Sequence, residues 1–263
     1  MRIRVGDANI FYQVLGKGPD LVLLHPFPLN HHIWDPIAER LATRYRVILP
    51  DLRGHGDSEV GEGPATMKKH AADVLRVCEE VGVERAVFCG NSIGGYVMFE
   101  LWRQQRERIR AMVLCGTKAG ADDTDARINR LKAAETVERE GPEQFIEGML
   151  ARLPGESTRR NRPDIVDRAR NMMRRMTVAG ITGIQRGMAE RPDSIPTLAT
   201  IDVPALVMVG DEDVATPLSE AEVMVRGIRG SRLAVVAGSG HYVPLERSEE
   251  VHRLLQEFMQ TIR

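Results

Sequence analysis

The stretch AVFCGNSIGGYVMFELW, residues 86–102, indicates the fold of this chain more clearly than any other. An apolar run with strand character leads into Gly90, Ser92 and Gly94, and an amphipathic helical pattern follows. These three residues fit G-x-S-x-G, in which a serine occupies a strained strand-to-helix turn and small neighbours let the backbone pass closely. The pattern predicts that Ser92 is a nucleophile.

Two other interpretations of this turn are a helix cap and a phosphate-binding loop. Neither G-x-G-x-x-G nor G-x-x-x-x-G-K-[ST] is present here, so the spacing argues against nucleotide binding. A serine hydroxyl is a poor nucleophile until an oriented base takes its proton. We therefore expect a histidine and an acid at later strand ends.

The histidine predicted to act as this base is His241, in the glycine-flanked loop AGSGHYVPLERSEE, residues 237–250. Ser248 is the predicted N-cap of the helix that follows this loop. Another histidine, His252, is expected to point away from the apolar face of that helix, and His70 lies in a polar helical pattern. His31 and His32 lie in what reads as a polar loop without metal-ligand partners.

The orienting acid is expected in VMVGDEDVATP, residues 207–217, after the preceding strand. Asp211, Glu212 and Asp213 are the candidates. The position of Asp213 between Gly210 and Pro217 favours Asp213, with Asp211 as the alternative.

Alternating strand-like and helical patterns over most of the chain predict an α/β fold of about eight strands. Strand-like runs are LVLL, RVILP, AVFCG, AMVLCG, ALVMVG and LAVVA. Helical patterns between several of them imply a mostly parallel sheet with helices on both faces. The first two segments, MRIRV and ANIFYQVLG, alternate like an antiparallel pair at the sheet edge.

A long stretch without strand patterns, residues 121–196, separates two of these runs. Its four helical segments are broken at Gly141-Pro142, Pro154-Gly155, Pro163 and Gly180. We predict a helical cap, or lid, over residues 121–196, inserted into a core formed by residues 1–120 and 197–263.

The composition limits the classes of function. The chain has 263 residues, a formal net charge of −1 and three cysteines. This charge provides no general field for binding nucleic acid or an acidic membrane surface. The sequence shows no apolar run of signal or membrane-spanning length, so we expect a cytoplasmic protein with buried, reduced thiols and without a metal or organic cofactor.

The order Ser, Asp, His along the chain resembles the α/β-hydrolase superfamily. Four further stretches carry the resemblance alongside CGNSIGG: LLHPFP, LPDLRGHGDSE, GDEDVATP and GSGHYVPLE. The resemblance implies an α/β-hydrolase fold in which Ser92, Asp213 and His241 meet at the carboxyl ends of the strands. Asp51, Arg53 and Ser58 are expected to hold turns rather than to bind substrate.

The serine at position 92, where dehalogenase-like and epoxide-hydrolase-like relatives carry aspartate, favours acyl transfer to water. The surrounding sequence looks like the esterase and 3-oxoadipate enol-lactonase branch, which implies a small-molecule ester or lactone as substrate. Asn91 precedes the serine, and an asparagine at this place is also common in carbon–carbon bond hydrolases of the meta-cleavage type. Such a hydrolase is therefore an alternative function. The other alternative is a slow-turnover ligand-binding protein, and a homo-oligomer is possible.

LLHPFPLN, residues 23–30, is similar to the family's oxyanion loop. The resemblance implies that the backbone N–H groups of Phe27 and Ile93 form the oxyanion hole. Glycine usually follows the histidine, but here Pro26 does. Our hypothesis is that Pro26 and Pro28 lock Phe27 in place.

The predicted pocket residues are Trp34, Met149, Met172 and Met176. Residues 151–175 also carry eight arginines against three acids. A solvated helix face accounts for this excess, but an inward-facing arginine would hold a substrate carboxylate.

Overall fold

A computed structural model describes residues 1–262 of the chain. It contains one sheet of eight strands in the order β1-β2-β4-β3-β5-β6-β7-β8. The strands are β1 Arg2–Val5, β2 Ala8–Leu15, β3 Asp20–Leu24, β4 Arg46–Pro50, β5 Ala86–Asn91, β6 Ile109–Cys115, β7 Ala205–Gly210 and β8 Arg232–Val236. The strands β1 and β2 pair antiparallel and β2 joins β4 antiparallel, while all later pairs are parallel. The predicted α/β fold with an antiparallel edge is confirmed.

Helices cover both faces of this sheet. They are α1 Asp35–Leu41, α2 Met67–Glu80, α3 Ile93–Gln105, α4 Thr124–Glu140, α5 Glu143–Arg152, α6 Glu156–Asn161, α7 Pro163–Met173, α8 Val178–Ala189, α9 Ile195–Leu198, α10 Leu218–Gly227, α11 Val243–Glu246 and α12 Ser248–Gln260. Successive residues of a strand point to opposite faces. Accordingly, Leu21 and Leu23 pack with residues of α1 and α12, and Val22 and Leu24 pack with residues of α2 and α3.

The strand order places a topological switch point at the centre of the sheet. From β3 the chain first forms β4 on one side and then β5 on the other. In open α/β sheets, ligands bind in the crevice beyond the carboxyl ends of the strands at such a point. The segments after β3 and β5 contain Phe27 and Ser92, so both lie at the place where this fold forms a site.

The start of α12 differs from the sequence-based prediction. The helix begins at Ser248, Arg247 is the N-cap, and no side chain caps it. His252 is buried rather than turned to solvent, because it flanks Val251 and Leu255 on a face that packs onto the molecule. The predicted apolar stripe is otherwise present, with Phe258 and Met259 buried.

The segment between β6 and β7 is helical, with α4 to α8 forming what we call the inserted helices. It contains one helix, α6, that the sequence pattern did not indicate. The predicted break at Gly180 is wrong: Gly180 lies in the first turn of α8, where its N–H donates to the N-cap Thr177. Glycine is required there by packing, because a Cβ would lie 2.4 Å from the carbonyl oxygen of Gly54.

All three cysteines, Cys78, Cys89 and Cys115, are buried and free. None of the helices in residues 1–262 combines the length and the apolar character needed to cross a bilayer.

Candidate active site

The turn after β5 holds Ser92 in a strained conformation. Its backbone has φ 55° and ψ −115°, and Ser92 is the only non-glycine residue with positive φ among those described. The flanking glycines make the turn possible, because a Cβ on Gly90 would lie 2.5 Å from the Gly94 carbonyl carbon, and one on Gly94 would lie 2.7 Å from the Leu24 oxygen. The Ser92 N–H donates to the Cys115 carbonyl (2.9 Å), and the Thr117 hydroxyl donates to the Ser92 carbonyl (2.8 Å).

Three side chains predicted from the sequence meet at this turn. The Ser92 Oγ lies 2.8 Å from Nε2 of His241, whose Nδ1 lies 2.9 Å from Oδ2 of Asp213. All three residues are buried. Because a carboxylate accepts from Nδ1–H, the His241 Nε2 is free to accept the serine proton.

The Asp213 carboxylate is held by more than the histidine. Its Oδ1 accepts the N–H groups of Ala215 (2.8 Å) and Thr216 (2.9 Å), and its Oδ2 accepts the Thr216 hydroxyl (2.7 Å). Burial alone would raise the pKa of Asp213, but His241 and these donors outweigh burial and lower it. Asp213 is therefore ionised at neutral pH and fixed in orientation.

The other two acids of this loop have different contacts. Asp211 is exposed, and its Oδ1 accepts the N–H groups of Gly238 (2.7 Å) and Ser239 (3.3 Å). Glu212 accepts the N–H of Ser157 (2.8 Å) and its hydroxyl, so it ties the loop to α6. Of the three acids, Asp213 alone contacts His241.

The backbone N–H of Phe27, in the loop after β3, has no hydrogen-bond partner among residues 1–262. The Pro26 carbonyl accepts from the Leu29 N–H (3.0 Å) and lies 3.0 Å from His25 Nδ1. Since His25 Nε2 accepts the Leu52 N–H (2.8 Å), Nδ1 carries the proton and donates it to Pro26. In a trans peptide the N–H points opposite to the carbonyl, so these two donors fix the direction of the Phe27 N–H.

A second backbone N–H without a partner lies close to this loop. Among residues 1–262, no hydrogen bond is made by the N–H of Phe27 or of Ile93. The contact between Gly94 and the Leu24 carbonyl brings the start of α3 against the end of β3, three residues before Phe27. The Phe27–Pro28 peptide bond is cis.

The loop that carries His241 is anchored by one buried carboxylate. Glu246 accepts the N–H groups of Gly240 (3.0 Å) and Tyr242 (3.0 Å), which flank His241. It also accepts the N–H of Gly155 (2.8 Å), between α5 and α6. In addition, the His241 N–H donates to the Leu153 carbonyl (2.8 Å). The inserted helices and the His241 loop are therefore joined by several hydrogen bonds.

Above Ser92 and His241 lies a cavity of about 400 Å³, within the usual size range of small-molecule sites. The inserted helices form one side of it through residues of α4, α5 and α8. Met149 lines the cavity as predicted, together with Phe145, which lies 5.8 Å from the ring of Phe27.

Three predicted pocket residues do not reach this cavity. Trp34 is fully buried in the core beneath α1 and α12, Met172 is buried on α7, and Met176 is buried in the connection between α7 and α8. Their apolar side chains fill the interior, and helical spacing alone does not distinguish that position from a pocket wall.

Sequence reasoning missed most of the charged residues of the cavity. Lys118, Asp122 and Arg130 line it, and they come from the segment after β6 and from α4. Of the arginines in residues 151–175, Arg152 alone lines the cavity. Others in that segment form surface ion pairs, as the solvated-face interpretation predicts.

Several residues outside the site have structural contacts. Asn91 donates to the carbonyls of Cys115 (3.1 Å) and His241 (3.2 Å) and does not line the cavity. Asp51 accepts a hydrogen bond from His31 Nδ1 (2.7 Å). His31 itself is buried in a 3₁₀ turn, not in the polar loop that the sequence indicated. Arg53 pairs with Asp73 (2.7 Å). Within residues 1–262, no group of three or more His, Cys, Asp or Glu side chains is arranged to hold a metal ion.

Comparison with known proteins agrees with this architecture. Residues 19–248 match the family model described as the alpha/beta hydrolase fold, and the chain belongs to this family. It is a hydrolase whose relatives include esterases and enol-lactonases. It is 26% identical over 246 residues to 3-oxoadipate enol-lactonase 1 of Acinetobacter baylyi, covering 94% of this chain and 90% of that protein.

Two solved structures share nearly the whole fold. The thermophilic esterase from Thermogutta terrifontis, described with malate bound, has a TM-score of 0.96 and 37% identity, covering 100% of this chain and 99% of that one. The enol-lactonase from Burkholderia xenovorans has a TM-score of 0.92 and 25% identity, covering 99% of this chain and 100% of that one.

Proposed function

We propose that the protein hydrolyses a carboxylic ester or lactone through an acyl-enzyme formed on Ser92. The observation that carries this proposal is the continuous chain of hydrogen bonds from Ser92 through His241 to Asp213. The esterase and enol-lactonase among its relatives support ester and lactone bonds as the target.

In the first half of the reaction, the Ser92 Oγ attacks the ester carbonyl carbon and His241 Nε2 accepts the hydroxyl proton. The tetrahedral intermediate places its negative oxygen against the N–H groups of Phe27 and Ile93. His241 then gives its proton to the leaving alkoxide, and the carbon–oxygen bond breaks.

In the second half, water attacks the acyl carbon of the ester formed with Ser92. His241 accepts a proton from the water, and the carboxylic acid leaves as Ser92 recovers its proton. Asp213 remains ionised throughout and stabilises the charged imidazole. With a lactone, the alcohol and the acid stay in one product molecule.

The competing carbon–carbon hydrolase hypothesis rested on Asn91. Its amide NH₂ donates to two backbone carbonyls and the residue lies outside the cavity, so a structural role accounts for it. No observation on this chain favours carbon–carbon cleavage over ester cleavage. We therefore retain the ester or lactone substrate.

The first test is turnover of a short-chain aryl ester by the purified protein and by Ser92→Ala. We expect many turnovers per wild-type molecule and a loss of about 10⁴-fold or more in kcat for Ser92→Ala, because the nucleophile is removed. A single slow burst per protein molecule would instead support a ligand-binding role. Substantial turnover by Ser92→Ala would overturn the nucleophile assignment.

The inserted helices are proposed to act as the cap of this site. They contribute Phe145 and Met149 to the apolar side of the cavity, and they are tied to the His241 loop by Glu246. Malate, bound in the thermophilic esterase, is a small dicarboxylate, which is a reason to include carboxylated esters among the substrates tested.

A further inference from the structure

The charged residues that line the cavity do not balance. Lys118, Arg130 and Arg152 contribute three positive charges to its wall, and among the described residues Asp122 contributes the only carboxylate. A cavity wall of one sign raises the local concentration of molecules of the opposite sign. The site is therefore suited to an anion.

The negative charge of Asp122 is already matched by a residue behind the wall. Arg191, whose side chain is 2% exposed, lies 2.7 Å from Asp122 Oδ1 and stacks over the Tyr96 ring at 4.3 Å. Burial would raise the pKa of Asp122, but its ion pairs with Arg130, Arg191 and Lys118 outweigh burial and lower it. Asp122 is thus a carboxylate shared by three cations, so two of their positive charges are not balanced by it, and Arg152 adds a third.

Arg130 and Lys118 have no other carboxylate partner within residues 1–262. Arg130 uses Nε for Asp122 and Nη1 for the Gln185 oxygen at 3.2 Å, which leaves Nη2 without an acceptor. The Lys118 Nζ lies 3.3 Å from Asp122 and its side chain is only 21% exposed. Half-buried cations that lack a full set of acceptors bind an incoming carboxylate more strongly than fully hydrated ones do.

Arg152 makes neither an ion pair nor a side-chain hydrogen bond in the part of the chain that the structure describes. It lines the cavity at the end of α5, next to Leu153, whose carbonyl holds the His241 N–H. Lys118 follows Thr117, whose hydroxyl holds the Ser92 carbonyl. The two cations therefore flank the Ser92–His241 pair from two different segments.

We propose that these cations form a carboxylate subsite, and that the substrate is an ester or lactone of a small acid that carries a second, free carboxylate. This inference rests on the proposed function. The free carboxylate accepts hydrogen bonds from the Arg152 guanidinium and the Lys118 ammonium, and the ester carbonyl lies at Ser92. The product is then a dicarboxylate, or a hydroxy acid with two carboxylates if the substrate is a lactone.

The experiment compares two methyl esters that differ in one terminal group. Monomethyl glutarate ends in a carboxylate, and methyl 5-methylhexanoate ends in an uncharged isopropyl group of similar shape. The quantity measured is the ratio of their kcat/KM values, charged over neutral. We expect this ratio to fall about tenfold in Arg152→Gln and about tenfold in Lys118→Gln, because each removes a charge-assisted hydrogen bond.

Arg160→Gln is the matched control. Arg160 belongs to the same arginine-rich segment, but its side chain is 73% exposed and pairs with Glu156 at 2.6 Å outside the cavity. We expect the ratio to be unchanged there. Thermal unfolding of each variant checks that the fold is retained, and Arg152 is the cleaner of the two sites because it has no partner to lose.

The outcomes separate the two proposals. If the neutral ester is hydrolysed but the ratio is the same in wild type, Arg152→Gln and Lys118→Gln, the subsite is refuted and the hydrolase proposal stands. If neither ester is hydrolysed, the subsite is tested by calorimetry of glutarate binding to the Ser92→Ala protein. A glutarate affinity about tenfold weaker in Ser92→Ala/Arg152→Gln than in Ser92→Ala supports the subsite, and equal affinities refute it.

Discussion

The two sides of the cavity differ in how their polar groups are satisfied. On the side of the strand ends, Asp213 accepts four hydrogen bonds and Glu246 accepts three. On the other side, formed by the inserted helices and the segment after β6, Arg152 has no partner within residues 1–262, and Lys118 shares its one carboxylate with two arginines. The charged side chains of the first side have their partners without a ligand, and those of the second side do not.

This difference corresponds to two tasks. The groups that move a proton must be held in one geometry before the substrate arrives, since preorganised dipoles need no reorganisation during the reaction. The groups that select a substrate must still have free donors. The N–H groups of Phe27 and Ile93, which have no partner within residues 1–262, are the exception on the strand side. In the proposed reaction they would bind a negative charge that forms only in the tetrahedral intermediate.

The largest effect after removal of the nucleophile is expected from Asp213→Asn. The asparagine oxygen can keep the Ala215 and Thr216 N–H groups, which places its amide donor against His241 Nδ1. His241 must then carry its proton on Nε2, where it cannot accept the proton of Ser92. We expect kcat to fall by about 10⁴-fold with little change in the thermal unfolding temperature.

Asp211→Asn is the control for this prediction. Asp211 is exposed, and its Oδ1 contacts can be kept by an asparagine oxygen. We expect activity within about threefold of wild type, as for most surface substitutions. If Asp211→Asn were as damaging as Asp213→Asn, the acid would be assigned to the wrong residue.

The second effect concerns His25, whose Nδ1–H donates to the Pro26 carbonyl. This carbonyl belongs to the Pro26–Phe27 peptide, whose N–H is the proposed oxyanion donor. His25→Asn can still donate to Pro26, whereas His25→Gln reaches only toward Leu52. We expect kcat to fall about thirtyfold in His25→Gln, which is less than the loss of a whole oxyanion donor, and to fall less in His25→Asn.

Pro26→Gly separates this explanation from the proline lock. A glycine leaves the carbonyl of residue 26 with both of its donors, Leu29 N–H and His25 Nδ1–H. We therefore expect it to lower kcat less than His25→Gln does. The opposite order would show that the proline ring, and not the histidine, holds the Phe27 N–H.

The sheet and the three residues of the Ser–His–Asp chain could be predicted because each is encoded locally. Ser92 and Asp213 follow the buried strands β5 and β7, and His241 follows the more exposed β8. Each lies in a glycine-containing loop, and parallel strands end at one edge of a sheet. Such information lies within about ten residues of each side chain. The eight strands were recognisable for the same reason.

Most of the charged residues of the cavity could not be predicted, because no local pattern contains them. Lys118 and Asp122 lie after β6, Arg130 lies on α4, and Arg191, which pairs with Asp122 behind the wall, lies beyond α8, so packing alone brings them together. The arginine excess of residues 151–175 includes Arg152 but does not distinguish it from the arginines that face solvent. The same holds for the methionines: Met149 and Met172 share helical spacing, but only tertiary structure decides which one meets the cavity.

A third, smaller effect is expected from Glu246→Gln. The new amide can accept at one position only, so its NH₂ faces at least one of the N–H donors of Gly155, Gly240 and Tyr242. We expect a loss of about 1–3 kcal/mol in unfolding free energy from the unsatisfied donor. Because the residues on either side of His241 shift, kcat should fall about tenfold and KM should change less.

Glu249→Gln provides the comparison for Glu246. Glu249 lies on the same C-terminal segment, but its side chain is 81% exposed and pairs only with Arg40. We expect stability and kcat close to wild type. If Glu246→Gln lowered stability while leaving kcat unchanged, Glu246 would be a structural residue without influence on His241.

The last effect is absent at neutral pH and concerns three buried histidines beneath Phe27. The ring centroids of His25 and His55 are 4.7 Å apart, and those of His55 and His70 are 6.3 Å apart. Burial lowers the pKa of His25 to about 4 and that of His70 to about 3, and it lowers the pKa of His55 well below its usual value. Asp51 partly opposes this shift at His25, and Arg53 adds to it at His70.

The native state therefore resists protonation over a range in which the unfolded chain, with histidine pKa values near about 6.5, takes up protons. The contribution of these histidines to the unfolding free energy is complete above about pH 6.5 and is lost between about pH 6.5 and pH 4, by at most about 1.4 kcal/mol per pH unit for each histidine.

His70→Leu removes one of the three histidines without touching the Pro26 carbonyl. Denaturant unfolding at pH 8, 6 and 5 should therefore show an unfolding free energy that falls less steeply with pH than in wild type. His32→Asn is the control of opposite sign: Asp35 raises the pKa of His32, so its removal should slightly steepen the loss of stability in acid. If the unfolding free energy of His70→Leu fell with pH as steeply as that of wild type, His70 would not contribute to the loss of stability in acid.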